Sequence, residues 1–201
     1  MSDLSFLENL KNHFINKYKF TPIAHSKVSV QSSVSIIIRK INSGYEILFI
    51  KRTTRDSDKF SGHMAFPGGV KENIDKDSLA TAIRETEEEV GLDLEMYSDI
   101  LGRFSDYRPV NPEANKFVVS PFIFYLNKPD VELVRCEDEV EEMVWIPISA
   151  LLANLSNSAR IGTRYAKPYK DNVFLYQGYK IWGMTGKILY AFLLEIENYC
   201  E

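Results

Sequence analysis

Apolar positions along this chain recur at two periods, 3.6 and 2, and the alternation predicts a mixed set of helices and strands. Leu7, Leu10 and Phe14 stand at helical spacing behind a Ser5-x-x-Glu8 capping box, so a helix is expected from about residue 4 to 18. Val28 to Lys40 alternates and then becomes continuous through Val34-Ser35-Ile36-Ile37-Ile38. Asn42-Ser43-Gly44 is a turn, and Tyr45 to Ile50 returns as a buried strand, which together predict a β-hairpin. Thr53 to Ser61 is polar and reads as a loop. Later strands are expected near Ile100-Leu101-Gly102, over Lys116 to Leu126 with Pro121 marking an edge or bulge, at Val131 to Val134, over Met143 to Pro147, and at Val173 to Tyr176. Ile148 to Leu155 predicts a short helix, and Ser156 to Lys170 a basic loop carrying Arg160, Arg164, Lys167 and Lys170. Ile188, Leu189, Phe192, Leu193 and Ile196 place a closing helix over Gly183 to Tyr199. No repeat and no regular βαβ period appears, so the expected fold is a mixed sheet with helices on both sides.

The stretch Gly62 to Leu92 carries the chemistry. A helix is expected to start at Asp77 or Ser78 and to stop at Gly91, with Leu79, Ile83, Thr86 (through its methyl) and Val90 as its apolar stripe and Thr81, Arg84 and Glu87 toward solvent. Glu85, Glu88 and Glu89 fall on a separate arc of about 100°. Like charges at such spacing cost roughly 0.2–0.5 kcal/mol per pair on a helix. A solvated acidic face is the ordinary reading of three glutamates. The preceding Phe66-Pro67-Gly68-Gly69 changes it, because two glycines let a backbone approach closely and offer a carbonyl to a metal or N–H groups to phosphate. Hard divalent cations take oxygen ligands and offset the repulsion, so the cluster reads as a platform for Mg²⁺ or Mn²⁺. Lys51, Arg52 and Arg55, at the mouth of the polar loop, suit phosphate.

The pattern Gly69-x5-Asp75-x8-Arg84-Glu85-Thr86-x-Glu88-Glu89-x-Gly91-Leu92 resembles the Nudix box. Asp75 stands where the usual box has Glu, the spacer to Arg84 is one residue longer, and Thr86 takes an apolar position. The resemblance implies an α/β/α sandwich of the Nudix type around a mixed β-sheet, over residues 26–201 behind an N-terminal helical extension of residues 1–25. It implies hydrolysis of a diphosphate, with Glu85, Glu88, Glu89 and Arg84 as catalytic residues and Glu85, Glu88, Glu89 and the Gly69 carbonyl as metal ligands. Arg52, Arg55, Lys59, Phe66, Gly68 and Arg108 are the expected substrate contacts, with Tyr107 beside Arg108. The general base is left among Glu88, Glu139 and Glu142.

Within the family the chain is similar to the coenzyme A diphosphatase branch. Leu48-Phe49-Ile50-Lys51-Arg52 precedes Gly62-His63-Met64-Ala65-Phe66-Pro67-Gly68-Gly69, and Val144-Trp145-Ile146-Pro147 and Ile181-Trp182-Gly183-Met184-Thr185 resemble that branch's later half. Asp58 stands where the branch carries arginine, and Ile50 replaces its threonine. The alternatives are a broader nucleoside-diphosphate hydrolase acting on ADP-ribose or a dinucleotide, and a binding module without catalysis. Trp145 and Trp182 are read as core.

Composition narrows the setting. The chain has 201 residues, 45% hydrophobic and 26% charged, an ordinary balance for one soluble domain. A net charge of −4 gives no nucleic-acid footprint, so a small nucleotide is the expected partner. No apolar run is long enough to span a membrane. The two cysteines, Cys136 and Cys200, form neither a disulfide framework nor a metal pattern, which suits the cytoplasm. A homodimer is a compatible assembly.

Overall fold

The apolar run after Val28 becomes the axis of a mixed sheet in the computed structural model, which describes residues 3–18, 29–54, 62–109, 116–155, 159–164 and 167–199. β1 (Val30–Ile41) turns into β2 (Gly44–Arg52) as an antiparallel hairpin, with Ile38 opposite Ile47. On its other edge β1 lies parallel to β6 (Phe117–Leu126), which pairs antiparallel with β5 (Ser98–Arg103). β7 (Val140–Pro147) covers the outer edge of β2.

β1 and β2 pair from the turn as far as Ile38 and Ile47 and then part. The segment after Gly62 fills the gap. β3 (Met64–Ala65) pairs with Ile50 and Lys51 of β2, and β4 (Gly68–Val70) with Ser32 to Val34 of β1. The crossing is tied by the Ser35 N–H, which donates to the Pro67 carbonyl at 2.8 Å. This wedge brings the glycine turn into the sheet itself, directly under the acidic helix.

Period-2 alternation gives the sheet two apolar faces. Ile36, Ile38, Ile47 and Phe49 face α1 (Asp3–Lys17) and α5 (Gly183–Ile196), whose Phe14 and Phe192 rings stack with centroids 5.8 Å apart. Ile37, Leu48 and Ile50 face α2 (Ser78–Val90) and α3 (Leu94–Tyr97). The result is the α/β/α sandwich expected from the sequence. Glu195 of α5 accepts hydrogen bonds from Lys17 and Tyr18 at 2.6 and 2.9 Å, joining the two ends of the chain. No described helix is long and apolar enough to cross a membrane.

Several local expectations change. α1 begins at Asp3, so Ser5 lies inside the helix and not at a cap position. Pro121 sits in an interior strand between β1 and β5, neither at an edge nor at a bulge on its own strand. It is tolerated because the β5 ladder ends at Arg103 opposite Phe122. At Pro121 itself the carbonyl accepts from Phe104 N–H at 2.9 Å, and the ring nitrogen has no donor to place. Val131 to Val134 forms no strand. The basic stretch read as a loop is instead a hairpin of β8 (Ala159–Arg164) and β9 (Lys167–Asn172). It lacks an alternating apolar face, so its pairing was invisible to periodicity. α4 (Ile148–Ala153) precedes it, and β10 (Phe174–Tyr176) and β11 (Tyr179–Ile181) form a second small hairpin.

Candidate active site

α2 is fixed at both ends. Asp77 caps its start by accepting from Ala80 N–H at 2.8 Å, and Gly91, in the left-handed region at φ 65°, ends it. The strand-less segment after Val131 runs over this end. Val134 and Cys136 donate their N–H groups to the Val90 and Glu89 carbonyls at 3.0 and 2.9 Å, filling acceptors that a helix leaves open. The buried side of α2 is Thr81, Ala82, Thr86, Glu89 and Val90, while Leu79 and Ile83 are only partly buried. Thr81 is therefore not a solvent position. Thr86 fits an apolar slot because its hydroxyl is satisfied locally, 2.8 Å from both Ser35 Oγ and the Ala82 carbonyl.

The three glutamates do not share one exposed face. Glu89 is 1% exposed and lies beneath the glycine turn, where Oε2 accepts from Gly68 N–H at 2.8 Å. Gly68 holds φ 149°, and a Cβ there would collide with the Ser33 carbonyl. A Cβ on Gly69 would run into the Glu85 carboxylate, so the backbone of Gly69 abuts that group. The two glycines thus lay bare backbone against Glu89 and Glu85 in turn. Glu88 points outward, its side chain 58% exposed.

Arg84 organises the cluster. Nε and Nη2 grip Asp75 at 2.9 and 3.0 Å, Nη2 also reaches Glu85 at 2.9 Å and the Val70 carbonyl at 3.1 Å, and Nη1 holds Glu88 at 2.7 Å. Asp75 is buried, accepts further bonds from Glu72 N–H and Thr81 Oγ1, and is pulled down to about 2, first by the Arg84 hydrogen bonds. With its donors so engaged, Arg84 orients carboxylates and has no face to give a ligand. The sequence marked Asp75 only as a variant of the box. Its signal as an anchor was its place in the box pattern, nine residues before the one arginine of the helix.

Burial pushes the Glu89 carboxyl up to about 8; the Gly68 N–H and the Arg52 charge oppose this, and the charges of Glu85 and Glu139 add to it. Burial also raises Glu85, against the pull of Arg84. Two carboxyl groups, one buried and one partly buried, whose charges act on one another are what a dication relieves. Among the described residues no group of three or more His, Cys, Asp or Glu side chains is arranged to hold a metal ion. Glu88 is paired with Arg84 on the exposed side of the helix. Glu85 and Glu89 offer carboxylate oxygens of the kind a hard cation takes, with the Gly69 backbone against Glu85.

The other expected site residues divide. Arg52, at the end of β2, is close enough for its charge to act on Glu89. Phe66 is 2% exposed and stacks on Phe49 at 4.9 Å, so its side chain is core and serves the site only by seating the Pro67–Gly69 backbone. Arg108 is exposed, and its Nη2 lies 3.4 Å from Ser29 Oγ. Tyr107 packs into the core on the α1–α5 side, opposite α2, which removes it as a nucleotide clamp. Arg55 and Lys59 lie outside the described residues. Glu142 accepts from Tyr179 Oη at 2.5 Å and Lys51 Nζ at 3.1 Å, and these bonds, Tyr179 first, lower its pKa. Trp145 is partly buried under the Arg39 guanidinium at 4.0 Å, and Trp182 lines a cavity with His63 rather than the core.

A family model for the NUDIX domain matches residues 30–166. A Nudix hydrolase named NudL from Pectobacterium atrosepticum is 27% identical over 196 residues, 93% of this chain and 95% of its own. An uncharacterized protein of Schizosaccharomyces pombe is 40% identical over 111 residues, which are 53% of this chain; the chain spans only 33% of that protein's length. The crystal structure of a MutT/nudix family protein from Enterococcus faecalis superposes with a TM-score of 0.54 over 98% of this chain and 75% of that one, at 14% identity, and shares the fold. The matched span contains the split sheet, the glycine turn and the whole of α2, and on that ground the chain belongs to the Nudix family of diphosphate-hydrolysing enzymes.

Proposed function

We propose that this protein hydrolyses the diphosphate linkage of coenzyme A or its acyl esters, giving adenosine 3′,5′-bisphosphate and (acyl-)phosphopantetheine. The observation that carries the hydrolytic part is the buried Glu89 beside Glu85 under bare glycine backbone, a crowded pair of acids that a nucleotide-binding module has no use for. The coenzyme A part rests on the Leu48–Arg52 and Gly62–Gly69 segments and on Ile181–Thr185.

In this reading Glu85, Glu89 and the Gly69 carbonyl hold Mg²⁺ or Mn²⁺. Bound there, the ion would neutralise the diphosphate and acidify the attacking water. Arg84, braced on Asp75, keeps Glu85 and Glu88 in register. Arg52 adds a positive charge for a phosphate oxygen. Water adds to one phosphorus, the bridging P–O bond breaks, and the other phosphate ester leaves with the bridging oxygen. Glu139 takes the water's proton. It is exposed and its charge acts on both Glu85 and Glu89, whereas Glu142 is tied to Tyr179 and Lys51 and Glu88 to Arg84. A second reading, a broader nucleoside-diphosphate hydrolase acting on ADP-ribose or a dinucleotide, is favoured by Asp58 in place of the branch's arginine.

Incubation with Mg²⁺ and a panel of coenzyme A, acetyl-coenzyme A, ADP-ribose and diadenosine polyphosphates, with products identified by mass, tests this. Adenosine 3′,5′-bisphosphate from coenzyme A supports the first reading. AMP from ADP-ribose with coenzyme A left intact selects the second. Binding without turnover of any of them overturns both.

A further inference from the structure

A cavity of about 490 Å³ opens at the end of the sheet where β2 finishes and β3 begins, walled by Lys51, His63, Met64, Tyr179, Lys180 and Trp182. Its size falls in the range of small-molecule sites, about 300–1,000 Å³. None of its walls belongs to the carboxylate cluster. Trp182 is the platform. It stands at the entry to α5, and its carbonyl is held by Gly186 N–H at 3.1 Å, so the indole springs from a fixed point. His63 packs on the ring with centroids 4.7 Å apart and planes at 59°, and the Lys180 ammonium lies 5.1 Å from its centroid. The hairpin that carries Tyr179 and Lys180 turns through Gln177 at φ 45° and Gly178 at φ 90°, the tight two-residue turn that matches strand twist. Tyr179 is further pinned through Glu142.

The cavity is joined to the chemistry along β2. Lys51 lines it, and the next residue, Arg52, is the cation that acts on Glu89. Successive strand residues face opposite ways, and a bulge in the β2–β7 ladder falls between these two, a feature that re-aims side chains. The cavity and the carboxylates are therefore set back to back across one strand end. A ligand that uses both passes over the rim made by Lys51–Arg52 and His63–Met64. From Met64 to Gly68 the chain covers at most ~13 Å at ~3.3 Å per residue, a length that a nucleoside diphosphate spans.

We infer that this cavity seats the aromatic base of the substrate, stacked on Trp182, and that Lys180 receives a phosphate carried on the nucleoside itself. The inference rests on the diphosphatase reading and adds its specificity site. Stacking on an aromatic ring tolerates any base, so the selectivity of the site comes from the charge at Lys180. A substrate with a ribose phosphate is preferred over one without.

Two measurements test it. In a Trp145→Phe background Trp182 is the single tryptophan, and metal-free titration with adenosine 3′,5′-bisphosphate should change its fluorescence saturably, with weaker binding of AMP; Lys180→Gln should abolish the difference. In steady-state kinetics on coenzyme A, Trp182→Ala should raise KM roughly ten- to a hundredfold with kcat held within about threefold. Hydrolysis of a base-free diphosphate ester, 5-phosphoribosyl 1-diphosphate, should be unchanged by the same substitution. Silent fluorescence together with KM values within twofold of wild type in both variants overturns the inference. So does an equal loss on the base-free substrate, which marks Trp182 as structural. If the wild-type protein turns over nothing while the nucleotide still titrates Trp182, the diphosphatase reading has failed and the cavity assignment stands.

Discussion

Glu89 is held where its charge is costly, and the cost has a measurable signature. Its carboxyl stands at about 8 in the folded chain, first because it is buried, against an ordinary value near 4.5. A group raised by folding is comfortable below its unfolded pKa and destabilises progressively as pH rises toward the folded value. Glu89→Gln should therefore stabilise the metal-free protein increasingly between pH 5 and 8, by roughly 2 kcal/mol at the upper end, while turnover falls by orders of magnitude. Thermal melts across that window check the first half, and a variant less stable than wild type at pH 8 contradicts it. Asp75 behaves in the opposite sense. Arg84 holds it down at about 2, so its contribution is complete above pH 4 and is lost as pH falls from 4 to 2. Asp75→Asn should be less stable at pH 7 and should show a shallower loss over that acid range, seen by denaturant melts at stepped pH. Asp75 also shows what a box pattern leaves out: the pattern fixes where an acid stands, but only the folded chain shows that it answers the arginine and not the metal.

At the scale of elements, the glycine turn and the acidic helix are one device, and the two glycines have separable roles. Gly68→Ala puts a Cβ into the backbone carbonyl of Ser33 at a φ of 149°, so neither the strand nor the residue can yield. A loss on the order of 2–4 kcal/mol is expected. Gly69→Ala meets only the end of the Glu85 side chain, which can swing away. Its Tm should stay within about 2 °C of wild type, while activity falls at least ~100-fold because a carboxylate has left the site. Melting curves beside rates on the same preparations separate the two, and similar melts for both variants refute the distinction. The hairpin, the closing helix and the capped acidic helix were all readable from apolar spacing, because each presents one face to a core. β8–β9 and the segment over the end of α2 were not, since the first is paired through backbone groups and the second is held by hydrogen bonds to helix carbonyls.

Across the whole molecule, the sheet splits to admit the 64–70 segment, α2 packs over β1 and β4 on one face, and a separate cavity opens at the strand end by His63 and Trp182. A cation bound by Glu85 and Glu89 favours the folded state alone. At a hundred times its dissociation constant Mg²⁺ should add about 2.7 kcal/mol, a rise of about 5–10 °C in Tm. EDTA should reverse it, and Glu89→Gln should show no such response. An equal rise in that variant would place the ion elsewhere. α1, far from the site in sequence, shares its core with α5 through Phe6, Leu10 and Phe14, so the first residues of the chain brace the face behind the site. The sequence by itself determined the first hairpin, the two-faced sheet, the acidic helix with its glycine turn, the closing helix, and the family, since these are written in spacing and in local backbone need. Only the tertiary structure decided which glutamate is buried, that Arg84 is spent on carboxylates, that Phe66 and Tyr107 are core while Trp182 is not, and that a cavity opens beside Trp182. Those are outcomes of how separate segments meet, and the environment that sets a side chain's charge or exposure comes from residues distant along the chain.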